Sequence, residues 1–235
     1  YHPDEILELF RKREFKEFVE FSIPKAGFLK STGLHTFLKK NLRARSFEEL
    51  QLPFHAVATD WNRARTVTFS NGNDLVEAVV ASCSVPILFH PQLINDVPYV
   101  DGGLLKSFPV SVIGKQCKYV IGVNVSLMIP AADKYNIRTM AERTFNLMSN
   151  SNTLFDKTYC DILIETKGID HYSMFDLNNI DTITEAGYHY AAIKMSEKEA
   201  WEIVKKCHKH YLRREKVRHQ IQRIRQRMIV RQDAK

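Results

Sequence analysis

Asp74-Leu75-Val76-Glu77-Ala78-Val79-Val80-Ala81-Ser82-Cys83-Ser84-Val85-Pro86-Ile87-Leu88-Phe89-His90-Pro91 runs from a row of small apolar residues into a break bounded by two prolines. Residues 74–82 carry so few polar side chains that a helix buried on most faces is expected there. A little further on, Val97-Pro98-Tyr99-Val100 reads as a short strand that delivers Asp101 directly into Gly102-Gly103. An acid at the carboxyl end of a strand lies where α/β sheets tend to place their sites. The two glycines permit positive φ and close approach of another backbone. Asp-Gly is equally good turn chemistry, so the segment by itself fits a site or a plain tight turn.

Working outward, Phe54 to Thr59 reads as a buried strand, Asp60-Trp61-Asn62-Arg63 as a hairpin-like turn, and Arg65 to Phe69 as a second strand. Ahead of these, helices are expected at 3–11, 14–21 and 32–42, with a turn at Lys25-Ala26-Gly27 and a capping-box pattern at Ser46-x-x-Glu49. Val110 to Ile113 suggests a helical turn. Tyr119 to Val125, apolar and β-branched, is the best internal-strand candidate. Ile137 to Leu154 has the period of a long amphipathic helix, Asp161 to Glu165 of a strand. Thr182-x-x-Glu185 and Ser196-x-x-Glu199 each precede a further helical stretch. Strands alternating with helices imply an α/β layered fold with a mostly parallel central sheet.

The chain has 235 residues, 44% of them hydrophobic, which can fill a substantial core and excludes disordered and fibrous classes. No apolar run reaches the roughly 18 residues of a spanning helix. Cys83, Cys117, Cys160 and Cys207 stand far apart without CxxC, which fits a reducing, cytoplasmic compartment better than a disulfide framework or a zinc module. The net charge of +7 is not evenly spread: residues 205–235 hold 12 Lys/Arg against two Asp/Glu, and the preceding residues 22 against 25. Two segments follow: a body over 1–204 and a basic amphipathic helix over 205–235. In the latter, Val217, Ile221, Ile224 and Met228 form a narrow apolar stripe. Such a helix suits peripheral contact with an anionic membrane surface, a short coiled coil, or packing on the body. No nucleic-acid partner is expected, since the body is slightly acidic and carries no recognised module.

The order Ala58-Thr59-Asp60, then Ala78 to Phe89, then Tyr99 to Gly103, then Phe108-Pro109-Val110 resembles the patatin-like phospholipase family of serine lipid acyl hydrolases. The resemblance covers roughly residues 1–125. It implies a three-layer α/β/α sandwich and a Ser-Asp dyad in which Asp101 is the base, supported by Gly102 and Gly103. It implies a lipid ester as substrate and no metal or cofactor. The chemistry is plausible without histidine: a hydroxyl is a weak nucleophile, and a carboxylate held close and partly desolvated can take its proton.

The family's nucleophile lies in a Gly-x-Ser-x-Gly elbow, and none of the nine glycines here brackets a serine in that way. Tyr1 to Glu5 looks like the segment that follows the nucleophile helix. The chain is therefore expected to lack nucleophile, oxyanion donors and the first sheet strand, and to be inactive alone. Ser82, Ser84 and Ser107 are expected to pack beside the site rather than to replace the serine. The alternative is a non-catalytic patatin-fold protein that binds membrane or a protein partner through its tail. Asp60 is either functional or the partner of Arg63. Trp61 and Trp201 are expected to be packing residues. Met140, Phe145, Leu147 and Met148 are either core or an acyl-lining surface. Cys207-x-x-His210 lacks a second ligand pair, so no metal is expected there.

Overall fold

The computed structural model describes residues 1–23, 26–125, 136–169, 171–173 and 175–209. The chain divides into two compact units, Tyr1–Tyr190 and Ala191–Lys235. In the first, helix α1 (Pro3–Phe10) starts with proline in its first turn, where a missing N–H costs nothing. A 3-10 turn (Phe15–Glu17) and strand β1 (Glu20–Phe21) follow, where one helix over 14–21 was expected. The reason is the split of apolar partners: Phe18 and Val19 are buried, whereas Phe21 is almost fully exposed. Strand β2 (Gly27–Lys30) begins at the expected turn glycine and leads into α2 (Thr32–Asn41). Residues 46–50 form bends and turns rather than a helix.

Strands β3 (Ala56–Asp60) and β4 (Arg65–Phe69) form an antiparallel hairpin, and α3 (Leu75–Ser82) follows. Next come β5 (Ile87–Phe89), β6 (Gln92–Ile94) and β7 (Val97–Asp101). Asn95 and Asp96, the two residues between β6 and β7, have φ of 50° and 60°. That is the pair of left-handed residues that a tight hairpin loop demands, and Asn and Asp tolerate it. Short helices α4 (Gly103–Lys106) and α5 (Ser111–Gly114) precede β8 (Ile121–Asn124). Then follow α6 (Ile137–Ser151), α7 (Thr153–Lys157), β9 (Ile162–Glu165) and α8 (Ile180–Ser196). Residues 198–209 are helical, and the stripe of Val217 to Met228 lies outside the described residues.

The mixed α/β architecture is consistent with the α/β/α fold expected, and its sheets are partly parallel. Among the described residues β2 pairs parallel to β5, and β8 parallel to β9. The four-stranded sheet, in the order β4-β3-β7-β6, is antiparallel at every step. The difference from a mostly parallel sheet has a local cause: two-residue and four-residue loops join β6 to β7 and β3 to β4, and such short links can only make hairpins. Strand β3 lies between two partners under α3, and all five of its residues are buried. Leu75, Val76, Ala78, Val80 and Ala81 of α3 are buried, as their composition requires. Strand β8 pairs only with β9 among the described residues, and Ile121 and Val123 are exposed rather than internal.

Candidate active site

Asp101 is the last residue of β7, and its backbone is fixed from two sides. Its N–H donates to the Ser84 carbonyl at 2.9 Å. Its carbonyl accepts the Thr59 hydroxyl at 3.2 Å, and it stands opposite Ala58 in the β3–β7 register. The side chain turns back on the glycines, and Oδ1 accepts the Gly103 N–H at 2.7 Å. Gly102 is right-handed helical, with φ −63°, and neither it nor Gly103 has positive φ. Space, not conformation, demands them. A Cβ on Gly102 would run into the Val57 carbonyl. One on Gly103 would lie 3.0 Å from both Asp101 Oδ1 and Phe145 Cζ.

Burial pushes the Asp101 carboxyl up to about 6, against the pull of the Gly103 N–H, which favours the charged form. Cys83, at the end of α3, is its titratable neighbour. Although the residue reaches solvent, the atoms crowded around its sulfur and the Asp101 charge push that thiol up to about 11. A carboxyl near 6 is half-ionised close to neutral pH, which is where a group that must take and return a proton works best.

The other candidates fall into place around it. Ser84 is fully buried and donates its hydroxyl to the Val80 carbonyl at 2.8 Å, so it is spent on the end of α3. Ser107 donates its N–H to Asn152 Oδ1 at 2.9 Å. Asp60 is fully enclosed at the end of β3. Burial raises its carboxyl, but the Arg63 N–H and the Arg63 and Arg65 guanidinium groups outweigh this and lower it. Oδ1 accepts the Arg63 N–H at 3.1 Å, and Oδ2 pairs with Arg63 at 3.2 Å and Arg65 at 3.3 Å. Of its two expected roles, the hairpin partner is the one built here. Trp61 is more than half exposed and lines a cavity of about 430 Å³ with Phe28, Pro86, Ile87 and Val100, so it is not a buried packing residue. Trp201 is also half exposed, with the Lys205 ammonium 5.7 Å from its ring centre. His210 lies outside the described residues.

Helix α6 departs furthest from expectation. Met140, Leu147 and Met148 are 50%, 44% and 43% exposed, so they are not core. Ala141 is the buried apolar position of α6; towards its C-terminal end the buried positions are polar, Asn146 and Ser149, continued in α7 by Thr153 and Asp156. These recur at spacings of three, four and three, one face of a continuous helical path. That face holds the segment after Asp101. Ser149 Oγ donates to the Gly103 carbonyl at 3.0 Å, and Asn152 Nδ2 to the same oxygen at 3.3 Å. Asp156 accepts the Ser111 N–H at 3.2 Å and pairs with Lys106 Nζ at 2.9 Å. The spacing was visible in the sequence, but its partners lie some 45 residues earlier in the chain.

A second cavity of about 700 Å³ is lined mainly by apolar residues, among them Phe15, Val19, Phe28, Leu88 and Phe175. Among the described residues no helix is long and apolar enough to cross a membrane.

The model of the patatin-like phospholipase family matches residues 1–113, a stretch that contains Asp101, Gly102 and Gly103. Uncharacterized NTE family proteins of Mycobacterium bovis and of two strains of Mycobacterium tuberculosis are similar. Each is 26% identical over 148 residues, which is 62% of this chain and 41% of the relative. The chain thus spans about two fifths of the length of these relatives. The similarity to the patatin-like phospholipase family thus covers residues 1–113, just under half of the 235.

Proposed function

We propose that this chain supplies the acid–base half of a lipid acyl hydrolase, with Asp101 as the base and a serine from outside these 235 residues as the nucleophile. The observation that carries this is a single carboxyl, at a strand end beside two closely packed glycines, held near 6 by burial. In the first step Asp101 takes the serine proton as Oγ bonds to the acyl carbon. It then gives that proton to the departing alcohol, leaving an acyl-serine. Water attacks next, Asp101 takes its proton and returns it to Oγ, and the fatty acid leaves. The step needs no metal or cofactor. Support for a lipid ester as substrate comes from the family and from the apolar cavity on the same unit.

The test is hydrolysis of a short-chain nitrophenyl ester and of a lysophospholipid. A longer protein that includes an upstream Gly-x-Ser-x-Gly is expected to turn both over. Asp101→Asn is expected to cut kcat by at least about 10³-fold, and the 235-residue chain alone to be inactive. Undiminished turnover in Asp101→Asn would sink the reading.

One observation favours a second reading, a patatin-fold protein without catalysis: no Gly-x-Ser-x-Gly occurs in the sequence. In that case the basic residues 205–235, read as a separate amphipathic helix, are the functional element. They would hold the protein peripherally on an anionic membrane at its cytoplasmic face. Co-sedimentation with phosphatidylserine vesicles, lost at high salt and on deletion of 205–235, is the outcome it requires.

A further inference from the structure

We propose that Ser149 and Asn152 are positioning residues for Asp101: by donating to the Gly103 carbonyl, they hold the glycine so that its N–H stays on the carboxylate. The functional consequence rests on the hydrolase reading; the clamp itself does not.

Gly103 is poorly placed to hold itself. It has no side chain to restrain its backbone. It also opens α4, a helix of four residues, too short to be stable without tertiary support. Its N–H donates to Asp101 Oδ1 at 2.7 Å, on one side of its Cα. Its carbonyl, on the other side, receives Ser149 and Asn152. The same Asn152 accepts the Ser107 N–H at 2.9 Å and so closes the far end of α4. Ser149 is 1% exposed, a hydroxyl placed in the interior and used on this carbonyl. Rotation of the unclamped glycine would withdraw the one hydrogen bond that this carboxylate accepts from the turn.

The groups facing Asp101 leave few rival causes of a shift. From the end of α3 comes the Cys83 thiol and from β3 Ala58 and Thr59; Phe145 and Ser149 of α6, and Asn152 just past it, meet the adjoining Gly103 and carry no charge. Lys106 of α4 pairs with Asp156 instead.

The experiment is a carboxyl-carbon NMR titration of Asp101 in the full chain. The wild-type midpoint is expected near 6. Ser149→Ala and Asn152→Ala should each raise it by about half a unit, because the charged form loses a hydrogen bond. Ser149→Thr, which keeps the hydroxyl, should restore it. Thr153→Ala removes a buried hydroxyl that, among the described residues, bonds the Asn150 carbonyl, and should leave the midpoint in place while costing stability. Midpoints unmoved in both alanine variants would overturn the proposal. Should Ser149→Ala fail to fold, Asn152→Ala, at a half-buried position, reads the same contact. Ester turnover is measured in parallel on the longer protein that includes an upstream Gly-x-Ser-x-Gly. A moved midpoint with no turnover in that longer protein leaves the clamp standing and removes the hydrolase reading. Turnover with an unmoved midpoint does the reverse.

Discussion

Helices α3 and α6 both bear on the turn that carries Asp101, the second through Gly103, and they do so by opposite means. Helix α3 buries Leu75, Val76, Ala78, Val80 and Ala81 and meets the site with the Ser84 carbonyl and the Cys83 thiol. Helix α6 turns Met140, Leu147 and Met148 outward, buries Ala141, and towards its C-terminal end buries Asn146 and Ser149. One wall desolvates the carboxyl, and the other fixes the loop that carries its hydrogen-bond donor. An apolar wall works by volume and tolerates exchange of one hydrocarbon for another. A polar wall works by pairing, so the loss of one partner strands the other.

The largest effects should expose that asymmetry. Leu75→Ala is expected to cost about 3 kcal/mol, and Leu75→Met less than about 1.5, in urea unfolding. Asp156→Ala should also cost about 3 kcal/mol. There, however, an apolar side chain of similar volume should not help, since Asp156→Leu still leaves the Lys106 ammonium and the Ser111 N–H without their acceptor. Rescue by Leu would show that the α7 end of the seam is held by packing after all.

Asp101, between the two walls, should give the next effect, and its sign depends on pH. Its folded value lies above the ordinary one, so the neutral acid is the form that folding favours. That contribution is complete below about 4 and is lost as pH rises through about 6. Asp101→Asn keeps an oxygen for the Gly103 N–H and never ionises. It should match wild type at pH 4 and exceed it by about 2 kcal/mol at pH 8. A constant difference across that range would mean that α3 does not desolvate the carboxyl.

A smaller effect is expected just past α3. Ile87 has φ of 72°, a left-handed conformation that β-branched residues avoid, and it is 52% exposed, so little packing offsets the strain. Ile87→Gly should stabilise the fold by about 1 kcal/mol, read as a higher melting temperature. A lower one would show that the side chain packs more productively than its exposure implies.

The apolar wall was legible in the sequence and the polar one was not. In residues 74–82 composition alone dictates burial, and the strand Val97–Asp101 with its glycines stands out for the same local reason. Gly102 could be read as necessary, although its reason is the Val57 carbonyl rather than positive φ. Strands β1, β2, β5 and β6 have two to four residues, too few for a period to emerge. In α6 the period was real, but only Ala141 and the half-buried Phe145 follow it inward, and Met140, Leu147 and Met148 do not. Hydrophobic spacing finds a buried face only where burial is driven by hydrocarbon. Here it is driven by donors and acceptors on a loop some 45 residues earlier in the chain.

The smallest expected effect is therefore the most discriminating for α6. Met140 and Leu147 are seven residues apart, two turns along one side of the helix, and both are largely in solvent. The sequence pattern reads them as core or as an acyl-lining surface; if they are core, replacing either with glutamine should cost 2 kcal/mol or more, roughly the transfer of a buried aliphatic side chain. By their exposure, Met140→Gln and Leu147→Gln should each change stability by less than about 0.5 kcal/mol, since glutamine is as good a helix former and no partner is lost. Ser149→Ala, a far more conservative change two residues on, should cost more than either, about 1–2 kcal/mol, because it leaves a half-buried carbonyl with one donor fewer. The order of these three values decides which face of α6 carries the structure: serine above the two apolar residues supports the inverted helix, and the opposite order restores the conventional one.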